Sequence, residues 1–224
     1  VLDPGWSRLL RLVRPPVEAA YQHLRRLSST PLAGGPKALL RLAAASIAQA
    51  VDSLSSIELA LEEGPPPQVA AVAPIVEQCL ASWEAAFRRR GVVLARETAA
   101  ALPNAPHDPK ALRVLLFHVL RNELEALSAG ARVTIKMTRS PEGALRLEFA
   151  DDGPGFPQAW LERRFEPFAQ PRSGHAGLGL ATVRRTLRRW GGDAQASNGP
   201  GGRGARLSLL FAVSRPPETS PEHG

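Results

Sequence analysis

Three consecutive prolines, Pro65 to Pro67, preceded by Gly64, divide the 224 residues into two stretches whose apolar residues repeat differently. No single helix or strand runs through such a break. Upstream, Leu10, Val13, Val17, Ala20, Leu24 and Leu27 recur at alternating spacings of three and four, the pattern of a bundle or coiled-coil seam. The segment from Ser28 to Pro36 interrupts it. A second seam follows in Leu40, Ala43, Ile47, Ala50, Leu54, Ile57 and Leu61. Two such helices make a hairpin, and one hairpin cannot cover both seams. Two copies joined as a four-helix bundle bury both, so a homodimer is expected.

Beyond the prolines, strand and helix patterns alternate. Pro74 suits the first turn of a helix reaching about Arg90, and a strand fits Val92 to Arg96. Asp108-Pro109 supplies a cap and a first-turn proline for a helix through Leu127. Arg132 to Thr138 and Ala144 to Ala150 read as a hairpin turning at Ser140 to Gly143. A helix from about Leu178 to Trp190 and strands near Asp193 to Ser197 and Arg206 to Val213 complete the pattern. The fold class expected is α+β: a helical hairpin over 1–64, a linker over 65–68, and a two-layer α/β sandwich over 69–213. The tail over 214–224, rich in proline and charge, is expected to be disordered.

Composition narrows the function classes. A single cysteine, Cys79, excludes an internal disulfide, and no apolar run reaches the roughly 20 residues that cross a bilayer. A reducing, cytoplasmic setting follows, with no membrane contact within this stretch. Val1 stands where a native start would carry methionine, so a fragment of a longer protein is expected. The net charge of +7 favours an anionic ligand. The arginines Arg88 to Arg90, Arg184-Arg185 and Arg188-Arg189 lack interleaved aromatics, so a solvated helix face is expected and no nucleic acid partner.

The most informative stretch is ADDGPGF, Ala150 to Phe156, where an apolar strand delivers Asp151 into a turn flanked by Gly153 and Gly155. Alone it is compatible with an aspartate-capped tight turn. Three other elements accompany it. LLFHVLRNELEAL sets Asn122 on an amphipathic helix, where its amide oxygen is a hard ligand for Mg²⁺. RFEPF ends at Phe168, and GHAGLGLATV follows, with Gly177 and Gly179 opening a helix whose first amides suit phosphate.

In this order and spacing the four elements resemble the N, first glycine, F and second glycine boxes of the histidine kinase ATPase family, whose superfamily includes gyrase-type and chaperone ATPases. The likeness runs from about Val69 to Val213, and LSAGARVTIKM resembles nitrogen-sensor-type kinases. It implies a sensor histidine kinase core that binds Mg·ATP, phosphorylates itself on histidine and passes the phosphoryl group to an aspartate of a response regulator. Carried over, Asp151 would accept the adenine amino group and Asn122 would hold Mg²⁺. Gly153, Gly155, Gly177, Leu178 and Gly179 would shape the ATP pocket. Ala169 to Ala176 would form a lid in which Arg172 touches phosphate. His118 stands where the family has an earlier asparagine, or a glutamate in gyrase-type relatives.

The hairpin resembles the family's dimerisation and phosphotransfer element but lacks its motif. Where that pattern has H-E-x-x-x-P-L, this chain reads Arg11-Leu12-Val13-Arg14-Pro15-Pro16-Val17. His23 is then the candidate phosphoacceptor, beside seam residue Leu24 and with no acidic neighbour to act as a general base. A scaffold that dimerises and binds nucleotide without phosphorylating itself is the rival expectation. His107, His175 and His223 are expected to be solvated, and His107 to lie in a loop. Trp83 and Trp190 are expected in or beside the core, and Cys79 as a small core residue.

Overall fold

The computed structural model describes residues 65–166 and 179–213, and before them six helical positions, Val17, Ala20, Gln22, Leu24, Ala43 and Ile47. Val17, Leu24, Ala43 and Ile47 are half-buried, and Ala20 and Gln22 are exposed. The hairpin as a whole, the lid over 169–176 and the tail from 214 lie outside the described residues. The chain sorts into two compact units, 1–64 with 163–182 and 65–162 with 183–224. The second contains the sheet.

In chain order its elements are β1 (Gln68–Ala70), α1 (Ala73–Arg90), β2 (Val93–Thr98), β3 (Ala105–His107), α2 (Pro109–Ala126), β4 (Arg132–Arg139), β5 (Leu145–Asp151) and the short α3 (Gln158–Leu161). Helix α4 (Gly179–Arg189) begins in the first unit and ends in the second; β6 (Asp193–Asn198), a 3₁₀ turn (Pro200–Gly202) and β7 (Ala205–Leu210) follow. The main sheet has the order β2-β4-β5-β7-β6, with β2 parallel to β4 and every other pair antiparallel. The fold is α+β, a mixed five-stranded sheet packed with helices.

Alternation sets the register. Val133, Ile135 and Met137 on β4, Leu145, Leu147 and Phe149 on β5, and Leu207 and Leu209 on β7 are all buried. Met137 pairs with Leu147 and Phe149 with Leu207, so the three central strands share one apolar face. Val76, Leu80 and Phe87 of α1 and Leu112, Leu115, Leu116, Val119 and Leu120 of α2 are the buried stripes of the helix layer. A fully buried side chain such as Phe149 contributes roughly 1.5–3 kcal/mol. The start of α2 is fixed as expected: Asp108 Oδ1 accepts from the Ala111 N–H at 2.7 Å, and Pro109 occupies the first turn.

Some expectations are corrected. β1 and β3 form a two-stranded sheet of their own, pairing Gln68 with His107. His107 is therefore in a strand rather than a loop, and is 1% exposed rather than solvated. Its Nδ1 lies 2.9 Å from Ala105 O, and its ring meets Trp190 edge-on at 6.4 Å. Trp190 is buried and Trp83, half-buried, packs beside the core against Phe87 and Phe117, as expected, whereas Cys79 is only half-buried. Nor are all the arginines of α4 merely solvated. Arg184 donates to Asp193 through Nε at 2.8 Å and Nη2 at 3.1 Å, and Arg188 Nε donates to it at 3.1 Å. Chiefly through Arg184, these bonds hold the Asp193 carboxyl well below the usual carboxylate range.

Candidate functional site at the end of β5

Strand β5 leaves the sheet at the half-buried Asp151. The next residue remains tied to β4: the Asp152 N–H donates to Arg132 O at 3.2 Å, and Asp152 Oδ1 accepts from the Arg132 N–H at 2.8 Å. Asp151 is thus presented by a rigid ladder, while its side chain curls over the turn. Asp151 Oδ1 accepts from the Gly153 N–H at 2.7 Å. A Cβ on Gly153 would lie 2.8 Å from that oxygen and 2.6 Å from Leu127 Cδ2, so a side chain there would displace the carboxylate.

Glu123 contacts Asp151 from α2. It falls on the same stripe as Leu116, Val119 and Leu120, which carries it into the interior at 3% exposure, where it hydrogen-bonds with Asp151. Burial first, then the Asp151 charge and that hydrogen bond, push the Glu123 carboxyl up to about 8. At neutral pH Glu123 therefore holds its proton and shares it with Asp151, because two bare carboxylates repel at such range. Asn122, the preceding residue, is half-buried on the same helix. One turn earlier, burial and then the Arg121 charge lower His118 to about 4, so its imidazole is neutral at physiological pH.

The rest of the turn is held from the far end of the chain. Gly155 has φ +76°, and a Cβ there would sit 2.6 Å from Gly202 O and 3.0 Å from Asn198 Oδ1, so glycine is required twice over. The Phe156 N–H donates to Asn198 Oδ1, and Asn198 Nδ2 donates to Phe156 O, both at 2.7 Å. The Gly204 N–H donates to Gly153 O at 2.8 Å, and the Gly199 N–H closes its own loop onto Gly204 O at 2.9 Å. A hollow of about 460 Å³ lies along this loop, lined in part by Asp151, Asp152, Arg203 and Arg206; Asn122 is not among its lining.

Of the residues singled out from sequence, Asn122, Asp151, Gly153 and Gly155 stand on elements of one compact unit, with α2 and β5 linked through Glu123 and Asp151. Gly179 is the first residue of α4 and belongs to the other unit. His23, Arg172, Gly177 and Leu178 lie outside the described residues. Glu123 and Asn198 escaped the sequence reading. For Glu123 a signal existed, an acidic residue in register with an apolar helical stripe. For Asn198 there was none, since its partner is 42 residues away. Chemically, the turn offers an oriented acceptor beside a backbone with little side-chain bulk. That arrangement suits a flat ligand with an N–H donor. Among the described residues, no group of three or more His, Cys, Asp or Glu could hold a metal.

Residues 107–215 match the family described as histidine kinase-, DNA gyrase B- and HSP90-like ATPase. The sensory histidine kinase/phosphatase NtrB of Salmonella typhimurium is 32% identical over 120 residues, 49% of this chain and 34% of NtrB. The sensor histidine kinase component HK1 of Mycobacterium tuberculosis is 36% identical over 114 residues, 49% of this chain and 66% of HK1. The chain thus spans about a third of NtrB and about two thirds of HK1. Among solved structures, full-length ShkA in complex with AMPPNP matches with a TM-score of 0.74 at 23% identity, over 96% of this chain and 47% of ShkA, a likeness of fold. Among the described residues no helix is long and apolar enough to cross a membrane. Residues 107–215 are thus a histidine kinase-, DNA gyrase B- and HSP90-like ATPase domain, and sensor histidine kinases are among the chain's relatives.

Proposed function

We propose that this chain is the catalytic core of a two-component sensor histidine kinase, which binds Mg·ATP, phosphorylates a histidine and passes the phosphoryl group to a response regulator aspartate. The observation that carries it is the fixed orientation of Asp151, with one oxygen on the Gly153 N–H and the shared proton on Glu123. Asp151 is thereby an oriented acceptor suited to the exocyclic amino group of adenine. Asn122 offers the hard oxygen that Mg²⁺ takes alongside water and phosphate oxygens, so the residues present fit that ion; when bound it neutralises phosphate charge. Gly153 and Gly155, with Gly177, Leu178 and Gly179, shape the pocket, and Arg172 meets phosphate from the lid over 169–176. What the chain contributes is positioning, because phosphoryl transfer leaves the protein little covalent work.

In this proposal residues 1–64 pair two copies into a homodimer and carry the acceptor, His23. Residues 65–68 are the linker, 69–213 the ATP-binding domain and 214–224 a tail, and the setting is cytoplasmic. One observation favours a second reading. Arg11 stands where the family's phosphoacceptor is expected, and a guanidinium is no phosphoacceptor, so a nucleotide-binding dimeric scaffold is the alternative.

Calorimetric titration with Mg·ADP tests the adenine role: Asp151→Asn is expected to weaken binding about 10- to 100-fold, the worth of one charge-assisted hydrogen bond. Unchanged affinity would remove that role. Incubation with γ-labelled ATP separates the two readings. An acid-labile, base-stable label lost in His23→Ala supports the kinase with His23 as acceptor; a label that persists moves the acceptor, and no label in the parent favours the scaffold.

A further inference from the structure

Asn198 ends β6 with its main chain already in the ladder, in register with Ala205 of β7. Its side chain is not needed there. It is spent instead on Phe156, 42 residues upstream, which lies in no strand. The amide gives Phe156 both an acceptor and a donor at 2.7 Å, pairing with its N–H and C=O as a neighbouring strand would. Six residues further on, the Gly204 N–H grips Gly153 O at the other end of the same turn. The connection between β6 and β7 therefore holds the turn at both ends. Between those two anchors lie Pro154 and Gly155, whose positive φ is packed against Gly202 O. Gly153 is also the residue whose N–H orients Asp151 Oδ1.

Resting on the adenine-binding reading of Asp151, we propose that Asn198 is a positioning residue for nucleotide recognition, its side-chain amide fixing the turn that aims the Asp151 carboxylate. It touches no ligand itself. Without the amide, the Phe156 end of the turn is released, the turn keeps one anchor instead of two, and the carboxylate loses a defined direction. The dependence runs entirely through Asp151, and that separates positioning from a general contribution to stability.

A double-mutant cycle on the full chain, read by calorimetry with Mg·ADP, tests this. Asn198→Ala is expected to lower affinity about 5- to 20-fold, the scale of two net hydrogen bonds. In an Asp151→Asn background the same change is expected to cost less than about twofold, because what it positions is already gone. An equal loss in both backgrounds would mark a structural role and overturn the proposal, as would unchanged affinity in Asn198→Ala. Should Asn198→Ala fail to fold, Asn198→Asp keeps the acceptor for the Phe156 N–H, removes the donor, and is judged by the same criterion. If Asp151→Asn binds like the parent, the adenine reading fails and this inference with it. If Asp151→Asn weakens binding and the cycle is additive, only this inference falls.

Discussion

The two ends of β5 both turn on a glycine with positive φ, Gly143 before the strand and Gly155 after it, but they are held differently. The turn before β5 closes on itself. The Gly143 N–H donates to Ser140 O at 2.9 Å, the Ser140 N–H to Ala144 O at 2.8 Å, and the Ala144 N–H to Ser140 Oγ at 3.2 Å, all within five residues. The turn after β5 depends on Asn198 and Gly204, more than forty residues downstream. A turn that only reverses the chain can be specified locally. A turn that must aim a carboxylate has to be referenced to the rest of the fold.

Substitution at the two glycines is the sharpest way to break this contrast. Gly155→Ala has to accommodate both a positive φ and a Cβ 2.6 Å from a backbone oxygen, and is expected to cost about 2–4 kcal/mol in denaturant unfolding. A cost as small as that at Gly143 would mean the downstream loop is not a rigid reference. Glu123→Gln is the next largest. The folded state holds the Glu123 proton up to about pH 8, against an ordinary value of 4.5, so the parent loses stability as pH rises between those values. The glutamine keeps a donor for Asp151 without titrating. Its midpoint temperature is expected to match the parent near pH 4 and to exceed it by a few degrees at pH 8 to 9. A constant difference across pH would show that no proton is held there. Gly143→Ala is the smallest: its Cβ would meet only the movable Arg139 guanidinium, and about 1 kcal/mol is expected, from the φ alone. Mg·ADP affinity should not change, and a change would show that the hairpin end also reports to the site.

What was legible in the sequence follows the same division between local and distant. The Asp108 cap, the Pro74 start of α1 and the alternation of β4 and β5 are written in neighbouring residues, and they were found. The sheet of β1 and β3 was not, because each strand is only three residues long and neither shows a run of alternation. His107 was misplaced for the same reason: its burial comes from β3 pairing with β1 and from Trp190, more than eighty residues away. Asp151, Gly153 and Gly155 were legible because strand, acid and glycine are contiguous. The partners that hold them were not found: the place of Glu123 on the apolar stripe of α2 went unread, and nothing near Asn198 in sequence marks its bond to Phe156.

The Asn198-Gly199 pair has a consequence for how the protein ages. Asparagine followed by glycine is the context in which a free chain cyclises most readily to succinimide and deamidates, by attack of the following backbone nitrogen on the side-chain carbonyl. In the fold both partners are occupied: the Asn198 amide is bonded at both ends to Phe156, and the Gly199 N–H is engaged with Gly204 O. Hydrolysis would replace the Nδ2 donor by a charged oxygen facing Phe156 O, releasing the turn from within. In the folded chain, cyclisation at Asn198 would first have to break these bonds.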